Sequence, residues 1–239
     1  MSKFSVQEAK KVALSIASNT DEISLAESFV LLAEFLYLHP TEMRARSNEL
    51  KNLDLTKTFD LEVLAKKYYQ SYRKVDFPTM PKTVPDEMVS VMMQNAFDYS
   101  FSVCQKIKIE HQQSMACENC VGNLLERYLD SKLRNSGWCW CCGELVKAVD
   151  FIYKDSKGNW TRLQIKNRNN SENSSSSAIR SGTTIEKWFR TFSLPSNARK
   201  GNTNWNNLPK PMQGYGLSED DFNTFAKAYL KANKPNKPK

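Results

Sequence analysis

The sequence predicts an α/β fold, in which helices flank a mixed β-sheet core and a helical N-terminal region precedes it. Apolar residues recur at helical spacing through residues 1–110, whereas two segments near the middle of the chain alternate as β-strands do. We therefore expect a helical region over 1–110 packed on a core over 111–232. A disordered basic tail over 233–239 should follow.

Six segments show the helical pattern, four in the first region and two in the core. They read VQEAKKVALSIAS, SLAESFVLLAEFLYL, DLEVLAKKYYQSYRKV, DEMVSVMMQNAFDYSFSVCQKIKI, NLLERYLDSKLRNSG and LSEDDFNTFAKAYLKAN. We place the fifth helix over 123–135 with a stop at Gly137, and we expect Ser218 to cap the last one. The proline-rich stretch DFPTMPKTVPD predicts a loop. The segment TTIEKWFRTF is predicted to be a short helix capped by Thr183 or Thr184.

Two predicted strands surround the turn DSKGN. The first, ELVKAVDFIY, is apolar on both faces, and the second, WTRLQIKNR, alternates apolar and polar residues. We expect Lys154 to pair with Trp160 across the turn. That register places Asp150 opposite Gln164, with Lys166 one diagonal step away, at Cβ separations of about 5 and 7 Å. A carboxylate, an amide oxygen and an ammonium group would then converge on one small volume.

Asp150 and Lys166 allow two interpretations. An acidic and a basic residue on paired strands often form a simple ion pair with no further role. However, Asp150 interrupts a strand that is otherwise apolar, and a buried carboxylate is unfavourable unless a metal or another cation satisfies it. The second consideration favours a functional site.

The formal net charge of +8 is unevenly distributed. Residues 1–110 carry 14 Lys and Arg against 15 Asp and Glu, a net of −1, whereas residues 111–239 carry 20 against 11, a net of +9. A basic half of this kind fits a polyanionic partner, with nucleic acid first, although a charge that serves only solubility is the alternative.

The sequence also bears on compartment. It contains no run of about 18 apolar residues that would cross a membrane, and its N-terminus, MSKFSVQEAKK, has no apolar signal region. We expect a cytoplasmic protein without membrane contact, whose six cysteines are thiols or metal ligands.

The cysteine spacing superficially resembles a zinc site. Cys117 and Cys120 form a CxxC pair, and Cys139, Cys141 and Cys142 follow the predicted helix. Because that helix would hold the two groups apart, buried thiols are favoured over zinc. We expect Cys117 and Cys120 to lie at an exposed turn before the helix. No phosphate-binding loop or GxGxxG motif is present, so no nucleotide cofactor is indicated.

The aspartate of VD and the sequence QIK beginning 14 residues later resemble the PD-(D/E)XK nuclease motif on a β-hairpin. The resemblance implies that Asp150 and Gln164 bind Mg²⁺ and that Lys166 is catalytic. Gln164 stands where the family has an acidic residue, so a second carboxylate is needed from elsewhere. Glu126 on the preceding helix fits that role, unless it is simply a solvated helix position. Glu144 and Glu172 are weaker candidates.

A wider resemblance is carried by CVGNLLERYL, GWCWCCGELVKAVDFI, LQIKNRNNSENSSSSAIR and GTTIEKWFRTF. These segments resemble the SinI-type type II restriction endonucleases over about residues 110–215. The resemblance implies Mg²⁺-dependent cleavage of double-stranded DNA at GG(A/T)CC. It also implies a companion DNA methyltransferase that acts on the same site without a stable complex. A palindromic target further predicts a homodimer.

The polar stretch NRNNSENSSSSAIR (167–180) follows Lys166 and has too few apolar residues to build core. It is either a flexible loop or a surface that reads base edges. The candidate DNA-binding residues are Arg168, Asn170, Glu172, Asn173, Ser174 and Arg180, with Lys187 and Arg190 for phosphates. The predicted function is a type II restriction endonuclease. The alternatives are a repair or recombination nuclease of the same fold and a non-catalytic DNA-binding protein.

Overall fold

A computed structural model describes residues 3–44, 48–169, 182–197 and 201–235. Its α-helices are α1 (Val6–Ile16), α2 (Thr20–Ile23), α3 (Ala26–Leu38), α4 (Thr58–Arg73), α5 (Glu87–Phe97), α6 (Phe101–Leu133) and α7 (Glu219–Ala232). Its strands are β1 (Trp138–Trp140), β2 (Phe151–Lys154), β3 (Trp160–Arg168) and β4 (Ile185–Thr191). No helix of the described residues is long and apolar enough to cross a membrane.

The strands form one sheet in the order β1-β2-β3-β4. The first two pairings are antiparallel and the third is parallel, so the prediction of a mixed sheet flanked by helices is confirmed. Lys154 pairs with Trp160, which confirms the register proposed across the turn. The ladder ends where Phe151 pairs with Leu163, immediately after Asp150 in the chain.

The prediction of a single strand through ELVKAVDFIY is wrong. Glu144 and Ala148 have φ angles of 57° and 55°, and this left-handed backbone breaks the extended conformation. The Asp150 N–H donates to the carbonyl of Leu163 at 2.9 Å, so the chain departs from the ladder by one residue there. Asp150 therefore lies beside β3 without the direct pairing with Gln164 that the sequence suggested.

The segment TTIEKWFRTF was predicted to be a helix, and it forms β4 instead. Its β-branched and aromatic residues suit a strand, and parallel pairing with β3 sets Trp188 beside Ile165. The Trp188 indole N–H donates to the carbonyl of Asn204 at 3.2 Å, while the Asn204 amide donates to Phe189 O at 2.9 Å. Tertiary contacts thus override the helical spacing of the apolar residues.

The helix predicted over 123–135 is longer than expected, because α6 runs for 33 residues from Phe101 to Leu133. It passes residue 110 without a break and includes both cysteines of the CxxC pair. The preceding pattern, which the sequence joins into one helix, is divided at Asp98 with φ of 55°, after which Ser100 caps α6. The predicted stop at Gly137 is confirmed by its φ of 85°.

The hydrophobic core joins α1, α3, α4 and the second half of α6 to the sheet. Its largest fully buried side chains include Phe29, Phe35, Tyr68, Tyr69, Tyr128, Trp138 and Phe151. The predicted cap on the last helix is confirmed, since Ser218 accepts a hydrogen bond from Asp221 N at 3.2 Å. The Tyr128 hydroxyl then donates to Asp221 at 2.9 Å, which fastens α7 to α6.

We expect Leu125→Ala to lower the free energy of unfolding by about 2–5 kcal/mol, because a fully buried leucine of α6 leaves a cavity. Leu38→Ala is the matched control, since Leu38 is 50% exposed, and it should cost less than about 1 kcal/mol. Urea denaturation of both variants gives the two values. Equal losses would contradict the assignment of this part of α6 to the core.

Candidate active site

Hydrogen bonds to two neighbouring segments fix Asp150 at the edge of the sheet. Its N–H donates to Leu163 O at 2.9 Å, and its carbonyl accepts from Cys141 N at 2.8 Å. Its carboxylate accepts the Ile165 N–H through Oδ2 at 2.7 Å. Because both backbone and side chain are bound, β3 and the segment after β1 together determine where this carboxylate lies.

Glu126 reaches the same region from α6. Its Oε2 accepts a hydrogen bond from the Trp140 indole N–H at 2.8 Å. Trp140 is buried and pairs with Phe151 in the β1–β2 ladder, one residue after Asp150. The indole therefore connects the helix that carries Glu126 to the strands that position Asp150.

Burial raises the pKa of both carboxyl groups, and the charge of Asp150 adds to the shift of Glu126. Burial raises the pKa of Asp150 to about 6, against the Ile165 N–H and the charge of Lys166, which act to lower it. Burial, followed by the charge of Asp150, raises the pKa of Glu126 well above its usual range, while the Trp140 hydrogen bond and Lys166 oppose the shift. Both carboxyl groups are therefore harder to ionise than they would be in water, as expected for buried acidic side chains.

Gln164 and Lys166 lie two residues apart on β3 and share one face of the sheet. Gln164 is buried, whereas Lys166 is partly exposed. In the parallel ladder Gln164 pairs with Lys187, and Lys166 pairs with Phe189. The positive charge of Lys166 acts on both Asp150 and Glu126, where it opposes the rise in their pKa values. That these residues form a catalytic site stays a prediction.

Sequence reasoning missed a supporting network around the Trp140 indole. Arg127 lies 5.1 Å from the Trp140 ring centroid and donates to the carboxylate of Asp76, which also accepts from Asn123 at 3.0 Å. Arg127 also donates to the carbonyl of Tyr72 at 3.1 Å. The only signal of this network in the sequence is that Arg127 directly follows Glu126. The ion pair with Asp76 could not be predicted, because Asp76 lies in the proline-rich loop and residue spacing does not identify its partner.

The donor set fits a divalent cation that prefers oxygen. Among the described residues, no group of three His, Cys, Asp or Glu side chains lies close enough together to hold a metal. Asp150 and Glu126 could supply two carboxylates to such a cation, and Gln164 could add an amide oxygen. Mg²⁺ is commonly held by one or two carboxylates and completes its shell with water and substrate phosphate. Two buried carboxyl groups with raised pKa values are consistent with such a cation.

The residues predicted to bind DNA are partly described. Arg168 ends β3 with its guanidinium 3.8 Å from Glu118, and Lys187 is on β4. Arg190 is only 14% exposed in its side chain, pairs with Glu219 and donates to Asn167 at 3.0 Å, so a phosphate contact would require this network to open. Five further candidates lie outside the described residues, namely Asn170, Glu172, Asn173, Ser174 and Arg180.

The cysteines are separated along α6 and the sheet. Cys117 and Cys120 lie within α6, so the expectation of a turn before the helix is wrong, and Cys120 is buried. Cys139, Cys141 and Cys142 are buried as well, and burial raises the pKa of the Cys142 thiol. Buried thiols of this kind act as small apolar groups in the core.

Comparison with known proteins places the chain among the restriction endonucleases. The family model described as SinI restriction endonuclease matches residues 9–232, so the chain belongs to the SinI restriction endonuclease family. It is 47% identical to the type II restriction enzyme Eco47I of Escherichia coli over 86% of this chain and 87% of that protein. It is 44% identical to the type II restriction enzyme SinI of Salmonella infantis over 95% and 96% of the two chains.

We expect Asp150→Asn to stabilise the metal-free protein at pH 8. The ionised carboxylate is unfavourable in its buried site, so the stability associated with Asp150 is fully present below its unfolded pKa of 3.8 and is lost as pH rises through about 6. The gain at pH 8 should be about 1–3 kcal/mol and should shrink by about 1 kcal/mol at pH 5. Urea denaturation in a chelator measures both.

Asp220→Asn is the control, because Asp220 is exposed at the start of α7. It should give no such gain at either pH. A destabilised Asp150→Asn variant at pH 8 would show that the carboxylate is already satisfied without a metal.

Proposed function

We propose that the chain cleaves double-stranded DNA at GG(A/T)CC as a Mg²⁺-dependent type II restriction endonuclease. Membership of the SinI restriction endonuclease family supports the class. The observation that supports the chemistry is that strands of one sheet hold both carboxylates: Asp150 accepts from the Ile165 N–H, one residue before Lys166, and Glu126 accepts from the Trp140 indole. A core of the PD-(D/E)XK type is part of the proposal, because an acidic residue directly before β2 and a lysine on the neighbouring β3 belong to one mixed sheet.

Asp150 and Gln164 would hold the cation, and Glu126 would supply the carboxylate that the family motif lacks at position 164. A divalent cation bound there provides positive charge that polarises the scissile phosphate and favours deprotonation of water. The hydrogen bond from Trp140 holds Glu126 in place. The bond from Ile165 N–H does the same for Asp150, so little reorganisation accompanies the reaction.

Lys166 acts on the reacting groups. Its ammonium group orients the attacking water and stabilises the negative charge that develops on the phosphorane. The attacking water gives up a proton to solvent as its oxygen forms a new bond to phosphorus, while one P–O ester bond breaks and the departing oxygen takes up a proton from solvent. The partial exposure of Lys166 leaves it accessible to a DNA backbone on that side of the sheet.

Sequence recognition is assigned to the last residue of β3 and to the polar segment that follows it. Arg168, Asn170, Glu172, Asn173, Ser174 and Arg180 would contact base edges or phosphates. Arginine suits guanine, and glutamate suits the cytosine amino group. Lys187 and Arg190 are proposed as phosphate contacts. The exposed guanidinium of Arg168 supports this reading most directly.

The target has two-fold symmetry apart from its central base pair, so we propose a homodimer with one active site for each strand. A companion methyltransferase would modify the same sequence without forming a stable complex. The excess of positive charge in residues 111–239 is consistent with DNA as the partner.

Asp150→Ala and Lys166→Ala should each lower the cleavage rate by about 10³-fold or more, because each removes charge at the reacting phosphate. Both variants should still bind a duplex that contains GG(A/T)CC. The assay uses plasmids with and without that site in Mg²⁺, and the folded state is checked by thermal unfolding. Lys157→Ala, in the turn between β2 and β3, is the control and should cleave normally.

The wild-type products also test the function itself. Discrete fragments from plasmids that contain the site support restriction. A smear or structure-dependent nicking would instead favour a repair nuclease, and intact DNA would favour a non-catalytic binder. Cleavage above about a tenth of the wild-type rate in either active-site variant would exclude that residue from the reaction.

Gln164→Glu should retain Mg²⁺-dependent cleavage, because it supplies a carboxylate oxygen at the same position. Gln164→Leu should lose cleavage, because leucine has similar bulk and no oxygen to bind the cation. Rates measured against Mg²⁺ concentration separate weaker cation binding from slower chemistry. Equal rates in the two variants would remove Gln164 from the cation site.

A further inference from the structure

Residues 84–116, which we call the helical arm, contribute nothing to the hydrophobic core. The arm consists of α5 and the first half of α6, and it contains no member of the core cluster. The arm is nevertheless rich in exposed apolar side chains. Eleven of the 21 large apolar side chains that the described residues expose lie in it, namely Val84, Met88, Val89, Val91, Met92, Phe97, Tyr99, Phe101, Val103, Ile109 and Met115. So dense an apolar surface indicates a contact with another molecule.

The contact between α5 and α6 differs from that of a typical helical hairpin, in which large apolar side chains are buried between the two helices. The side chains buried between α5 and α6 are small or polar: Ser90, Cys104 and Lys108. Gln105 and Cys104 contact Ser90, and the Lys108 ammonium lies 3.3 Å from Glu87. Most of the large apolar side chains of the arm are instead exposed, and none of them is fully buried. The arm therefore has no core of large buried apolar side chains.

Helix α5 needs more packing than the described chain gives it. It has 11 residues, and helices shorter than about 12–15 residues are marginal in water without tertiary contacts. It packs chiefly against α6 through the polar seam. A second apolar surface would stabilise it, and the exposed methionines and valines of α5 are placed to receive one.

We propose that the arm is the two-fold dimer interface, so that its occupant is the arm of a second copy of this chain. The proposal rests on the homodimer of the proposed function and locates its contact. Three of the eleven side chains are aromatic and, about half exposed, present roughly 75–125 Å² each. With the eight smaller aliphatic side chains, the arm exposes on the order of 800 Å² of apolar surface. A standard interface buries about 800 Å² on each partner. The available surface is therefore sufficient for a stable dimer.

Charge excludes DNA as the occupant of the arm. The arm carries four acidic and two basic residues, a net charge of −2. Because the whole chain has a net charge of +8, the residues outside the arm carry +10. A DNA backbone would be repelled by the arm and attracted to the remainder. A self-complementary contact between two apolar arms carries no such penalty and leaves the basic surface free for DNA.

The arm is continuous with the active site through α6. Glu118 on this helix lies 3.8 Å from Arg168, and Glu126 is two turns further on. A contact between arms would therefore fix the relative placement of the two active sites of a dimer, each of which serves one DNA strand.

Phe97→Glu and Met92→Glu test the proposal, because these side chains are 64% and 61% exposed and their replacement should not disturb the fold. The mass of each full-length protein is measured by sedimentation equilibrium, alone and on a GG(A/T)CC duplex in Ca²⁺. Wild type should have twice the 27.4 kDa chain mass. Each arm variant should weaken dimerisation by about 30-fold or more. Thermal unfolding confirms that each variant is folded.

Phe59→Glu is the matched control, since Phe59 on α4 is 72% exposed outside the arm, and it should dimerise as wild type does. Dimers of unchanged affinity in both arm variants, or a wild-type monomer with and without DNA, would overturn the proposal. So would arm variants that dimerise normally but lose binding to the purified companion methyltransferase. Plasmid cleavage by wild type is scored separately, so that failure of the proposed function is distinguished from failure of the interface.

Discussion

The hydrogen bond from the Trp140 indole to the Glu126 carboxylate is the contact on which the arrangement of the site depends. It joins a helix to a sheet at the place where two acidic groups meet. Arg127 stacks on the same indole and binds Asp76 in the proline-rich loop. Contacts from α6 and, through Arg127, from the loop therefore fix the position of the Trp140 ring. The loop, the helix and the sheet therefore support the site together, and a change in any of them reaches the carboxylates through Trp140.

The site is electrostatically unfavourable when no cation is present. Burial raises the pKa of Asp150 to about 6, and Asp150 in turn contributes to the raised pKa of Glu126. Folding places these groups together against that opposition, which the hydrophobic core must offset. A cation bound there, as proposed, would offset this negative charge, so its binding would depend on pH.

The sequence was sufficient for the features that depend on short-range pattern. The pairing of Lys154 with Trp160 followed from turn length, and the caps at Ser218 and Gly137 followed from local backbone preferences. Features set by tertiary contact were missed: β4 has apolar spacing that fits a helix, and only its pairing with β3 decides for a strand. The left-handed backbone at Ala148 was equally hidden. The division at residue 110 and the roles of the site residues stay predictions.

Helix α6 also sets a limit on how this chain can change in length. At 1.5 Å and 100° per residue, its 33 residues form a helix about 50 Å long, in which the direction of every side chain around the helix axis is fixed by its position in the sequence. Inserting one residue between Ala116 and Glu126 would turn the Glu126 carboxylate by about 100° about the helix axis relative to the helical arm. Inserting seven residues, about two turns, would return the carboxylate to within about 20° of its original direction. Insertions and deletions among relatives should therefore occur in the loops, while the number of residues in α6 stays constant.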